Sequence, residues 1–267
     1  MYLCLKNSVF ILGILTPFNF YFSSCDRLYS NYLQEDIPLP PATALSSEYE
    51  IDLFADSVIS ILAECDEARS MIYSRGNQSF QVKRYSLQGL PVLYAENSEG
   101  GELGKVQRRY FVKDGALVMI DEFSALVNGD TEGMALKSYF RNGQLFRATQ
   151  TAGIDSDIRP AQFKEAENRF EDYANKLLVF EDAINQRGRF DLVFQGIAAN
   201  PKTKYLILSK DEINAYRAPV RVDADDEFIR ELLSNPSRYR GEKLDIQWRL
   251  NELNEAVYAK GRLKGRD

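Results

Sequence analysis

Carboxylates are the one catalytic raw material that this 267-residue chain holds in concentration. They come as Asp121-Glu122, Glu171-Asp172, Glu181-Asp182 and Asp225-Asp226-Glu227. Glycoside hydrolysis needs two carboxyl groups facing each other across a cleft. Asp121-Glu122 falls in a strand-like run, where neighbours take opposite faces, so it is not a dyad on one face. The other runs read as solvated charges on or before helices. Histidine is absent, which excludes Ser-His-Asp and Cys-His nucleophiles and removes the commonest zinc ligand. Cys4, Cys25 and Cys65 have no metal-ligand spacing. No phosphate-binding glycine loop or dinucleotide fingerprint occurs. Gly100-Gly101 and the run from Gly129 to Gly133 read as turns, because the spaced oxygen ligands of a calcium loop are lacking. The expectation is a non-catalytic protein with no cofactor and no metal.

Binding residues are easier to nominate than catalytic ones. Within the strand-like region 79–152 a basic residue stands two before a tyrosine three times, as Lys83 and Tyr85, Arg108 and Tyr110, and Lys137 and Tyr139. Residues two apart on a strand share a face. The six are expected to form one amphipathic face left to solvent, either as cross-strand packing and cation–π pairs or as a surface for an anionic or extended partner. The opposite face, with Phe111, Leu117, Phe140 and Leu145, is expected to be covered by helices. Tyr205, Tyr216 and Trp248 on later strands are candidate groove aromatics.

These side chains need a frame. Ser47-Glu48-Tyr49-Glu50 has capping-box spacing, and an apolar stripe predicts a helix over 49–73 with Cys65 buried on it. From 79 to 152, six runs rich in β-branched and aromatic residues, mostly separated by glycine breaks, predict a six-stranded antiparallel meander. Asn142-Gly143 signals a two-residue turn pairing Phe140 with Leu145 and Tyr139 with Phe146. Lys113-Asp114-Gly115 reads as a three-residue loop pairing Phe111 with Leu117 and Tyr110 with Val118. A long amphipathic segment follows from Pro160 to Gly188. Three strand-like runs, a helix opened by Asp225-Asp226-Glu227, and two more strands complete the chain.

The run Tyr139-Phe140-Arg141-Asn142-Gly143-Gln144-Leu145 is similar to MORN-like bacterial hairpin repeats, without their Gly-Glu-Trp signature. The order βββ-α-ββ over 189–267, with its GEKLDIQW segment, resembles an OB-fold, in which exposed aromatics bind sugars, peptides or bases. The fold class read here is α+β: an antiparallel meander flanked by two helices, then a small OB-like barrel. Residues 25–188 carry 17 basic and 26 acidic side chains, whereas 189–267 carry 15 and 13, which suggests a boundary near Gly188.

The chain opens with one lysine and an uncharged run ending in Phe22-Ser23-Ser24-Cys25. The pattern fits an export leader of residues 1–24 better than a spanning helix. Ser-Ser-Cys resembles the lipobox of bacterial lipoproteins, although Phe22 stands where that family usually has leucine. The resemblance implies that Cys25 is lipidated and that the protein is exported and anchored in the bacterial cell envelope, on either membrane. Residues 25–46, with Pro38, Pro40 and Pro41, read as an extended tether. With a net charge of -6, nucleic acid is not an expected partner; the membrane, an envelope protein or a glycan is. The leading expectation is an envelope lipoprotein that binds or scaffolds. The alternatives are an OB-type glycan or peptide binder and a histidine-independent carboxylate hydrolase acting on envelope glycan.

Overall fold

The computed structural model of the chain describes residues 45, 47–100, 104–125, 133–152, 164–165, 173–253 and 255–263. The leader, Cys25 and the tether lie outside these residues.

Ser47 opens the first helix as its spacing predicts. Its hydroxyl accepts the Glu50 N–H at 3.3 Å, and the Glu50 carboxylate accepts the Ser47 N–H at 3.0 Å, so two orphan donors are satisfied reciprocally. This helix, α1 (Glu48–Ser60), buries Ile51, Ala55 and Val58. It stops well short of the expected residue 73. After one 3-10 turn the chain runs extended as β1 (Asp66–Arg69) and β2 (Tyr73–Arg75). Both lie antiparallel along one edge of β3 (Gln78–Leu87). Helical spacing is satisfied locally in this stretch, but strand pairing fills the backbone bonds of the segment and of β3 together, and buries Met71 and Tyr73. Cys65, expected on a helical stripe, is a half-buried free thiol at the transition, its S–H directed at the Ile61 carbonyl 3.6 Å away.

The expected meander is formed by β3, β4 (Leu90–Gly100), β5 (Lys105–Lys113), β6 (Ala116–Ala125), β7 (Met134–Arg141) and β8 (Gln144–Ala152), each antiparallel to the next. Three of its hairpins share one geometry. Their turns are Gln88-Gly89, Asp114-Gly115 and Asn142-Gly143, and all six residues have φ between 51° and 82°, the requirement of a two-residue primed turn. Two pairs in from each turn the returning strand carries one extra residue: Val92, Val118 or Phe146. These β-bulges correct the expected register. Phe140 does face Leu145, but Tyr139 pairs with Arg147 rather than Phe146. Around Asp114-Gly115 the loop has two residues, not three, so Val112 faces Leu117 and Phe111 faces Met119.

The register decides what each face carries. Tyr85, Phe111 and Tyr139 are equivalent, each three before its turn. On their face Leu93, Phe111, Val118, Met119 and Tyr139 pack against Ile51, Ala55 and Val58 of α1. On the other face Tyr94, Tyr110, Val112, Leu117 and Phe140 join the larger core, with Phe180 and Ala183 of α2 (Tyr173–Ile184). The two helices therefore cover opposite faces of the meander and do not share the Phe/Leu face.

The last third of the chain is β10 (Val193–Ala199), β11 (Lys204–Ser209), β12 (Arg217–Val222), α3 (Glu227–Ser234), α4 (Pro236–Tyr239), β13 (Leu244–Leu250) and β14 (Ala256–Leu263). A two-residue strand, β9 (Lys164–Glu165), pairs with β8 before them. The edge of β12 is divided: Arg217 pairs antiparallel with Ser74 of β2, and Arg221 pairs parallel with Val257 of β14. That split edge makes one sheet of all fourteen strands. The sheet does not close into a barrel among the described residues. The expected boundary near Gly188 does not separate two bodies either. Tyr73 and Val82 share one buried cluster with Phe190, Leu206 and Val220, and the described residues belong to one compact unit, Pro40–Asp267. Burial of a common apolar surface outweighs the change in charge balance there. The fold is thus mostly β with a few helices, within the α+β class.

Gly100 and Gly115 give a paired test of this backbone. Gly100 has φ of +105°, and a Cβ there would stand 1.9 Å from the Asn77 carbonyl oxygen. Gly115, at φ +77°, faces open space. Gly115→Ala is expected to cost about 1 kcal/mol from left-handed strain alone, and Gly100→Ala on the order of 3 kcal/mol. Urea unfolding midpoints measure both, and equal losses would contradict the close approach at Gly100.

Candidate functional site

The hairpin between β2 and β3, the far ends of β4 and β5, the flank of α2 that carries Lys176, Val179 and Phe180, and the segment before β12 enclose a cleft of about 680 Å³. Its aromatic floor is set by packing across the β2–β12 junction. Tyr73 and Phe190 have ring centroids 4.7 Å apart, Phe190 and Tyr216 4.8 Å, and Phe80 and Tyr216 5.8 Å. The buried Tyr73 hydroxyl donates to the Ala183 carbonyl at the end of α2, 3.0 Å away, and burial pushes its phenol well above the ordinary range. At the mouth, the guanidiniums of Arg75 and Arg189 each stand 5.7 Å from the Tyr216 ring centroid. Ring quadrupoles attract cations in this geometry, so Tyr216 holds two exposed guanidiniums at one edge.

The inner wall is an ion row laid straight across the meander. Glu96, Arg108 and Glu122 are direct cross-strand partners. Arg108 Nε donates to Glu122 Oε2 at 2.5 Å, and its Nη1 stands 3.5 Å from Glu96 Oε2. Glu96 also accepts the Tyr110 hydroxyl at 2.8 Å and meets Lys176 Nζ of α2 at 3.3 Å. Burial opposes the charge on Arg108, but Glu122, Tyr110 and Glu96 beside it hold the guanidinium above its ordinary range. Glu122 Oε1 and Ser124 Oγ are buried without a hydrogen-bond partner among the described residues.

A second group clamps α2 to the sheet. Arg84 Nη1 reaches both Glu181 oxygens at 2.7 and 2.9 Å, and the Tyr94 hydroxyl and the Asn185 amide donate to the same carboxylate at 2.6 and 3.0 Å. Burial raises Glu181, but these donors outweigh it and hold the carboxyl below its usual range. Of the acid pairs, Asp121 turns to Arg109 and Glu122 to Arg108 on opposite faces. Asp182 meets Arg187 at 3.6 Å. Asp226 caps α3 by accepting the Ile229 N–H at 2.8 Å, and Asp225 pairs with Lys204. Glu171-Asp172 lies outside the described residues. Among the described residues no three Cys, Asp or Glu side chains are grouped to hold a metal ion.

The six-residue Tyr-plus-cation surface is not one surface. Arg108 and Tyr110 point toward α2, because Phe111, not Tyr110, is the equivalent of Tyr85 and Tyr139. Tyr110 is buried against Phe180, with centroids 5.0 Å apart. Tyr139 is buried under α1, and its hydroxyl donates to Asp52 at 3.2 Å. Burial and the neighbouring Asp52 raise its phenol well above the ordinary range. Lys137 meets Asp52 at 3.0 Å, and Lys83 meets Glu67 at 3.5 Å beside the half-buried Tyr85. A cleft of about 500 Å³ does open next to Lys137 and Tyr139. Its cations have carboxylates of their own, Arg147 with Glu48 at 2.8 Å and Arg109 with Asp121. That cleft is neutralised from within.

The three nominated aromatics also part company. Tyr216 lines the large cleft. Tyr205 donates its hydroxyl to Glu255 at 3.0 Å, and Trp248 packs, half-buried, against the main core. Sequence reading missed Arg75 and Arg189. Arg75-Gly76-Asn77 follows directly on the expected helix and reads as its stop, although Gly-Asn between strand-like runs is also a hairpin signal. Nothing local connects it to Arg189.

No protein-family model matches the chain, and no similar curated protein and no similar solved structure was found.

The Glu181 clamp makes a pH prediction. A carboxyl held below its ordinary range stabilises the fold above about pH 4.3, and that contribution is lost as pH falls through the folded value. Glu181→Gln is expected to lower stability by about 1–2 kcal/mol at neutral pH. The gap should shrink toward about pH 3. Urea titrations at both pH values measure it, and a gap that does not change with pH would contradict the clamp.

Proposed function

We propose that this chain is a membrane-tethered, non-catalytic binding protein of the bacterial cell envelope, and that its ligand docks in the cleft between the meander and the last strands. The observation that carries the reading is the chemistry of the cleft. A rigid aromatic floor presents two guanidiniums outward, while of the two acidic side chains that line the cleft Glu96 is met by Arg108, Lys176 and Tyr110 and the exposed Glu99 by Lys105 at 3.7 Å. Pre-formed concave sites with a few convergent polar groups are the usual form of small-ligand sites. The tether rests on the uncharged run ending in Phe22-Ser23-Ser24-Cys25 and the proline-rich segment after it. No helix among the described residues is long and apolar enough to cross a membrane. Anchoring is assigned to lipid on Cys25 from the resemblance of Ser23-Ser24-Cys25 to a lipobox.

An OB-like reading of 189–267 has specific support. The βββ-α-ββ order is kept apart from the four-residue α4 added after α3, and β12 pairs parallel with β14. Phe194 of β10 exchanges two backbone hydrogen bonds with the segment before β13, accepting from the Gly241 N–H at 2.7 Å and donating to the Glu242 carbonyl at 2.9 Å. On this reading the meander is a support that lends one wall to the ligand site, and the ligand is a glycan or a peptide.

The carboxylate-hydrolase reading is favoured by one observation: Glu96 and Glu122 are both buried about Arg108, and Glu122 keeps one oxygen unpartnered. Two measurements separate the readings. Cys25→Ala is expected to abolish uptake of labelled fatty acid and release the protein from the membrane fraction. Equal labelling and distribution of the variant and the wild type would overturn the tether. Incubated with solubilised envelope glycan, the wild-type protein is expected to retain material without producing new reducing ends. New ends that disappear with Glu96→Gln would overturn the binding reading in favour of hydrolysis.

A further inference from the structure

The large cleft has a neighbour. A second cleft of about 500 Å³ lies beyond the β2–β3 turn, and Arg75, Gly76 and Asn214 line both. The second cleft adds Lys210, Arg217 and Arg240. Arg75, Arg189, Lys210, Arg217 and Arg240 form no salt bridge with any carboxylate among the described residues, whereas Arg108 and Lys176 on the inner wall of the first cleft, and Arg109, Lys137 and Arg147 elsewhere in the fold, each have one. Only Asp211 and Glu212 bring acid to the second cleft. In a protein of net charge -6, five cations without a carboxylate partner among the described residues outnumber Asp211 and Glu212 along two joined recesses, a local reversal of sign. Like charges gathered this closely repel one another, and a bound anion relieves that repulsion.

The remaining polar lining narrows the ligand. Asn77, Gln78 and Ser79 border the first cleft; Ser98 there, and Gln195 and Ser209 at the second, line the recesses but are already hydrogen-bonded within the fold, Gln195 accepting from Arg240 Nε at 3.2 Å. Amides and hydroxyls both donate and accept, which matches sugar hydroxyls. Guanidinium forks match carboxylate and phosphate oxygens. The Tyr216 ring is already flanked by Phe190, Phe80 and the two guanidiniums, so it serves to aim the arginines and is a poor platform for stacking a base. Two recesses sharing one wall suit a chain with repeated charges better than a single small anion.

We propose that the joined clefts bind an acidic oligosaccharide, a sugar chain bearing carboxylate or phosphate groups. Its anionic groups lie on Arg75 and Arg189 at the first cleft and on Lys210, Arg217 and Arg240 at the second. This inference rests on the binding reading above and names its ligand class.

The test is titration calorimetry on the full chain in mild detergent, with tetragalacturonate as the carboxylate probe, maltotetraose phosphorylated on several residues as the phosphate probe, unmodified maltotetraose as the neutral one and octathymidylate as the nucleic-acid one. At least one acidic sugar is expected to bind, with a Kd weakened about tenfold by Arg75→Gln with Arg189→Gln. The same pair changed to lysine is expected to retain most of the affinity, and added salt to weaken it. Which of the two acidic probes binds tells carboxylate from phosphate. Both arginines are exposed, and a thermal melt of the glutamine variant checks that it is folded. Binding of neither acidic sugar, equal binding by the folded glutamine variant, or tighter binding of octathymidylate than of either sugar would overturn the proposal. Unmodified maltotetraose binding as tightly as the acidic probes would overturn the anion assignment and leave the binding reading standing. Cleavage of a probe would overturn the binding reading itself.

Discussion

Hairpin register is the constraint on which this structure depends. Each of the three two-residue turns needs φ > 0 at both positions, and each is followed by a bulge that inserts one residue into the returning strand. Side chains alternate with period two, so a slip of one residue moves a whole strand's pattern to the other face. The shared geometry aligns Tyr85, Phe111 and Tyr139 on the α1 side and sends Arg84, Tyr110 and Ser138 to the α2 side. Both faces are then apolar enough near the turns to be covered, and each takes its own helix. Toward the far ends the same alternation separates two charge systems. Arg109, Asp121 and Lys137 lie on the α1 side with Asp52, and Glu96, Arg108 and Glu122 on the α2 side with Lys176.

The buried row on the α2 side is costly. Each charge taken from water must be repaid by its neighbours, and an unpartnered buried oxygen such as Glu122 Oε1 costs about 1–3 kcal/mol. What the row provides is position. Lys176 is drawn to Glu96, and a turn further along α2 Glu181 is held by Arg84 and Tyr94. The helix is thereby fixed at two points along the sheet, and the 3-10 turn after it, Gly188–Phe190, delivers Arg189 to the cleft mouth. From the other direction the pairing of Ser74 with Arg217 brings Arg75 and Tyr216 to the same place. Four segments distant in sequence meet at one edge because the sheet is continuous through β2 and β12.

Much of the frame was legible in the residues. The capping box at Ser47, the six strands from 79 to 152, the turn at Asn142-Gly143 and the βββ-α-ββ order of the last third all announce themselves through local chemistry. What was not legible was long-range. Asp66–Arg69 has the look of a helix until the open edge of β3 is available to pair with it. Lys113-Asp114-Gly115 has no local mark that tells a two-residue turn from a three-residue loop, and the longer reading aligns Tyr110 with Tyr85 where Phe111 is the equivalent. The bulges that reset the returning strands are equally unmarked. The change of charge balance at Gly188 suggested two bodies, yet Tyr73, Phe80, Phe190 and Tyr216 form one aromatic cluster across it. Arg75 and Arg189 carry no motif. Their meeting is a product of the sheet, and only the folded chain brings it about.

The register is open to direct measurement by nuclear Overhauser effects between assigned side chains. The account predicts that the Tyr110 ring shows effects to Phe180 of α2, and that the Tyr139 ring shows effects to Ile51 and Ala55 of α1. If Tyr110 and Tyr139 were both in contact with the same helix, the common hairpin register and the division of faces that follows from it would be contradicted.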